Sequence, residues 1–287
     1  MMASVRGWVG KHPMVAFFGL AYGYAWLLAA VMIARHWGWI AAPGWLHYLV
    51  AWGPGLAAVT VSAVMGGWQA VAALGGRIVK WRIGWVALGA AVATPLLLLV
   101  IALGGNAVMV QGWPQIASLG VMDYLGNVGV GVAALVWMAS FGLGEELGWR
   151  GFAQQYLQPR MGLLKSATVI GVLWAFWHVP FFFYKDTFVA MGLLGFPLFF
   201  ISIMPGAIVL GWLYDRAGGS VLAVAVWHGL FDWITASDLA EGPIAAVVTM
   251  VVIVWAILIV RAARRAEHQP GQAGRDHQLH ELDELRE

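Results

Sequence analysis

The chain reads as an all-α, polytopic integral membrane bundle of about eight transmembrane helices, and three observations predict it. Hydrophobic residues fill 61% of the 287 positions and charged ones only 10%, where an ordinary soluble domain is about 25% charged. Apolar stretches of about 20 residues recur along the chain, the length needed to cross a hydrocarbon core of roughly 30 Å. Many of the 18 tryptophans lie near the ends of those stretches, among them Trp37, Trp39, Trp45, Trp81, Trp85 and Trp113, as expected of interfacial belts.

The predicted spans run near 14–34, 45–66, 84–104, 124–144, 166–184, 188–213, 219–237 and 243–260. The first follows Lys11 and ends at Arg35. Its length and the lack of a small-x-small site make it a membrane span rather than a cleaved signal sequence. Basic residues then alternate from loop to loop. Arg6 and Lys11 precede the first span, Arg77, Lys80 and Arg82 follow the second, and Arg150, Arg160 and Lys165 follow the fourth. Arg216 follows the sixth, and Arg261, Arg264 and Arg265 follow the last. The opposite loops hold Arg35 and Lys185, and 105–123 holds no lysine or arginine. By the positive-inside rule this places both termini in the cytoplasm. Residues 1–265 form one transmembrane domain, and 266–287, polar and poor in apolar residues, is expected to be a disordered cytoplasmic tail. A formal net charge of +2 says little about partners by itself. The lipid bilayer is the partner that composition dictates, and nucleic acid is not expected.

The chain has no cysteine, which excludes disulfides, thiolate metal sites and a cysteine nucleophile together. Against the apolar background three groups of polar residues stand out, because a charge at mid-membrane costs about 2.5–3.5 kcal/mol. The first is Glu145-Glu146-Leu147-Gly148-Trp149-Arg150, where the fourth span is expected to run out. On a helix Glu146 and Arg150 stand at i and i+4, the orientation for an ion pair, and Glu145 points about 100° away, available as a base. The plain reading is a solvated charged cap. The second is His178, in an apolar string closed by Pro180, which should kink or thin the helix. A core histidine satisfied by a backbone carbonyl is the plain reading there. The third is His228 with Asp232 one turn on, on one face of the seventh span. Either Asp232 orients His228, both address a substrate or metal, or the two share a private hydrogen bond that locks helix packing.

Other intramembrane protease chemistries do not fit. Gly218-Gly219-Ser220-Val221 lacks the last glycine of a Gly-x-Ser-Gly loop, no Gly-x-Gly-Asp follows Tyr214-Asp215, and there is no His-Glu-x-x-His.

Glu-Glu-x-x-x-Arg, then aromatic-x-x-x-His, then His-x-x-x-Asp resembles the three-motif signature of the CAAX prenyl protease and bacteriocin-processing (CPBP, or Abi) family, over roughly 137–235. The resemblance implies an intramembrane endopeptidase in which Glu145 and His178 activate a water. His228 and Asp232 would stabilise the oxyanion or complete a metal site. Glu146 belongs to the same catalytic set, and Arg150 is its structural ion-pair partner. A divalent metal such as zinc is the cofactor the family label suggests, with no other cofactor expected. The substrate would be a peptide or the C-terminus of a lipidated protein. Two departures matter: Trp174 stands where the family has phenylalanine, and Asp232 where asparagine is usual. An ionised carboxylate cannot donate to an oxyanion, so Asp232 must be protonated, orient His228 or bind a cation. A noncatalytic scaffold or a transporter using the same groups for ligand or protons is the alternative class.

Overall fold

The computed structural model describes residues 2–110 and 116–268. Among these, seven helices are long and apolar enough to cross a membrane, and Val221–Thr235 is a shorter apolar helix. The chain is a multi-pass helical membrane protein. It opens with α1 (Met2–Lys11). Four long helices follow: α2 (Pro13–His36), α3 (Gly53–Ile78), α4 (Trp85–Val110) and α5 (Val130–Met161). Next come α6 (Leu163–Trp177), α7 (Phe196–Arg216), α8 (Val221–Thr235) and α9 (Pro243–His268). Helix α9 runs three residues beyond the expected domain end at 265. The remainder of the expected tail, 269–287, lies outside the described residues, as does Trp113.

Three spans differ from expectation in ways that shape the site. Helix α5 starts at Val130 rather than near 124, because 121–127 form a two-stranded hairpin, Val121–Met122 paired antiparallel with Gly126–Asn127. Tyr124 and Gly126 both take positive φ there, a turn conformation that no helix contains. Helix α5 also continues through the glutamates to Met161. The acids are therefore buried in mid-helix and are not a solvated cap.

The sixth span begins at 193, after a break at Gly192 (φ 64°). The seventh, α8, has 15 residues instead of the 19 expected over 219–237. Ser220 caps its start by accepting from the Ala223 amide, and Gly218 and Gly219 at φ 60° and 85° turn the chain just before it. Helix α8 packs against α4 and the middle of α5, so much of its surface meets protein.

In α5 the stretches Met138–Glu145 and Trp149–Gln154 widen into π-helix, a form that gathers at functional sites. The widened turn lies against α8. A side chain on Gly142 would overlap the Ala225 carbonyl, and one on Gly229 would overlap the Met138 backbone. These two glycines let the helix backbones touch, which places His228, the neighbour of Gly229, over the glutamate pair.

Candidate functional site

Glu145, Glu146, Arg150, His178 and His228 are all buried, with Glu146 and Arg150 inaccessible. Helices α5, α6 and α8 supply them, and the structure brings every expected site residue into one cluster. Asp232 sits at its edge, its side chain 23% exposed.

Glu146 is saturated on one oxygen. Its Oε1 lies 2.9 Å from Arg150 Nη1, the i, i+4 pair expected from sequence, and 2.8 Å from His228 Nδ1. The histidine contact is an ion pair without an aligned N–H···O bond. Arg150 is held further by the Ala207 carbonyl at 3.3 Å and by the face of Trp174, 5.1 Å from its guanidinium carbon, a cation–π contact. The other nitrogen of His228, Nε2, lies 3.4 Å from Asp232 Oδ2. An acid stands beside each ring nitrogen of His228. Asp232 thus faces His228.

Glu145 has different company. Its Oε2 accepts from two indoles, Trp149 Nε1 at 3.2 Å and Trp174 Nε1 at 2.5 Å. Its Oε1 is buried without a partner among the protein groups. His178 closes the α-helical part of α6, where Pro180 enters a tight turn over Val179–Phe183. It therefore stands at a helix end rather than in mid-helix. Its Nδ1 lies 2.8 Å from the Trp174 carbonyl. That bond requires Nδ1–H, which leaves Nε2 with a lone pair. Phe181 and Phe199 pack edge-on to the imidazole, at 5.3 and 5.1 Å, and Phe188 stacks on it at 6.2 Å.

From the acids a polar ladder runs along α5 onto α7. Arg150 reaches Ala207 O, Gln154 Nε2 reaches Gly211 O at 2.9 Å, and Gln158 Nε2 reaches Asp215 Oδ1 at 2.6 Å. The rungs are four residues apart on both helices, so the two run parallel with matched faces. The ladder ends in a cleft of about 460 Å³ lined by Gln154, Gln155, Gln158, Tyr214 and Asp215 with adjoining backbone.

Among the described residues no group of three or more histidine, aspartate and glutamate side chains is arranged to hold a metal ion. Both nitrogens of His228 face carboxylates, and one nitrogen of His178 faces a carbonyl. As arranged, these donors do not form a metal cage. Sequence reasoning missed three things: the indoles on Glu145, the bridge from Glu146 to His228, and the glutamine ladder. Spacing offered a signal for the first two indoles, since Trp149 is four residues after Glu145 and Trp174 four before His178. Nothing local in the sequence pointed to the bridge.

Fold and site define a class: a polytopic helical membrane protein with a dry acid–histidine cluster shared by three helices. Residues 127–234 match the family model described as Type II CAAX prenyl endopeptidase Rce1-like. A stretch of 92 residues is 33% identical to CAAX prenyl protease 2 of Methanococcus maripaludis. That stretch covers 31% of this chain and 34% of the relative, so the match spans about a third of the curated protein.

Proposed function

We propose that the protein is an intramembrane endopeptidase that hydrolyses a peptide bond near the membrane interface, acting on a peptide or on the C-terminus of a lipidated protein. The observation that carries this reading is the state of Glu145, one oxygen held by two indoles and the other unpartnered in a cluster with two histidines. A general base must be fixed and have a lone pair to offer. The free Oε1 takes a proton from water while Nε2 of His178 helps hold that water. The water oxygen then bonds to the carbonyl carbon. The resulting oxyanion is met by Nε2–H of His228, which at 3.4 Å from Asp232 is not committed to a hydrogen bond there, while Glu146 balances the imidazolium from the Nδ1 side. Collapse breaks the C–N bond, and Glu145 returns its proton to the leaving amine. Arg150 neutralises Glu146, so the second acid orients His228 and does not compete as a base. No step is routed through a metal.

The relative's name, CAAX prenyl protease 2, supports a lipidated C-terminal substrate. The loop charges support placement of both termini, and of the glutamine-lined cleft, on the cytoplasmic side. The scaffold or transporter alternative has less support. A transport path needs polar lining on both sides of the cluster, yet polar rungs lead from Arg150 toward Gln158 while phenylalanines face His178.

The test is cleavage of a fluorogenic CAAX-like lipopeptide by purified protein in detergent. Turnover by the wild type, lost in Glu145→Gln and His178→Ala proteins that remain folded, is the expected result. Equal turnover in Glu145→Gln would remove Glu145 from the role of base.

A further inference from the structure

Trp174 touches four of the six residues of the cluster. Its N–H holds Glu145, its backbone carbonyl holds His178, its face carries Arg150, and its ring meets His228 edge-on at 5.2 Å. A carboxylate rotates about a soft terminal torsion, so a single hydrogen bond from its own helix would leave Oε1 free to swing. Trp149 supplies such a bond from α5, four residues along. Trp174 supplies the second from α6, onto the same oxygen. Two donors from two helices fix which oxygen is engaged and where the other points. They also exclude water from Oε2.

We infer that Trp149 and Trp174 are positioning residues whose paired indole N–H groups clamp Oε2 of Glu145 and so aim Oε1, with Trp174 setting Glu145 and His178 in common register. The role of the aimed oxygen rests on the peptidase reading above; the clamp itself does not. Phenylalanine at 174 would keep the backbone carbonyl that holds His178 and lose the N–H that holds Glu145. The larger aromatic therefore does more here than fill space.

Two measurements on the full-length protein in detergent micelles test this. In the first, with ¹⁵N-labelled indoles assigned through Trp→Phe variants, Glu145→Ala should move the Nε1–H resonances of Trp149 and Trp174 and leave that of Trp212, on α7, in place. If neither indole responds, the clamp is overturned, whatever the protein's activity. In the second, Trp174→Phe should lower kcat on the lipopeptide about ten- to hundredfold, as for loss of a hydrogen bond to a charged group. KM should hold, and Trp212→Phe should keep wild-type kcat. Wild-type kcat in Trp174→Phe would overturn the aiming role. A wild type that cleaves nothing would instead sink the peptidase reading, with the resonance shifts still deciding the clamp.

Discussion

Two neighbouring acids, one peptide bond apart, live in opposite surroundings. The Glu146 side is crowded with ionisable groups: an arginine, a histidine and, beyond it, Asp232 form one chain of close contacts. The Glu145 side holds neutral donors, two indoles on one oxygen, and leaves the second oxygen unengaged. Each acid keeps one oxygen without a protein partner, so what separates them is company: a cation neutralises Glu146, and neutral donors alone hold Glu145. Substitutions on the two sides should therefore fail in different ways.

The largest effect is expected on the Glu145 side. Glu145→Gln keeps the shape of the side chain and removes the base, so lipopeptide turnover should drop by roughly 10²–10⁴-fold, with the thermal unfolding midpoint in detergent unchanged. A loss of folding together with activity would make Glu145 a structural acid and erase the contrast. On the other side, Arg150→Ala leaves Glu146 buried beside one fewer cation. Removing one partner of a buried pair costs about 3–5 kcal/mol, so this protein should unfold at markedly lower denaturant, and Arg150→Ala that unfolds like wild type would show that His228 alone balances Glu146. Asp232→Asn should be milder, about three- to tenfold in kcat, because an amide oxygen still accepts from His228. A total loss there would show that the charge of Asp232, and not its orientation of His228, is what matters. Incubation with EDTA should leave turnover intact, because no three side chains of the cluster are arranged among the described residues to hold an ion; inactivation reversed by zinc would put an ion into the mechanism. The smallest effect belongs to Gln158→Leu at the far end of the ladder, where loss of bonds to Gln154 and Asp215 at a half-buried position should shift stability by about 1 kcal/mol or less.

Much of the bundle was legible because a bilayer enforces length and apolarity, and the Glu146–Arg150 pair was legible because helix spacing dictates it. The span predicted to end at 66 meets a real break at Gly67, where φ is 61°; the helix resumes beyond it through Gln69 to Ile78, which hydropathy alone could not extend. The fourth span misled for a related reason. Polar residues at 145–150 look like a membrane exit in a hydropathy profile, yet they are paired internally and the helix carries on. The indole clamp and the contact of Glu146 with His228 depend on how α5, α6 and α8 meet, and on π-widened turns that shift side-chain phase. Such information lies between helices and not along any one of them. The fusion of two glycines, Gly142 and Gly229, into one contact is likewise visible only once both are in place.

Helix α8 has 15 residues, about 22 Å at the standard rise, and it carries a histidine and an aspartate. A segment so short and so polar is a poor candidate to enter lipid by itself. Its stable home is the slot that α4 and α5 already form. During biogenesis, insertion of this last inner segment and completion of the histidine–glutamate cluster become the same event. A chain that has threaded its earlier helices still lacks His228, so the acid–histidine cluster is complete only once α8 is seated.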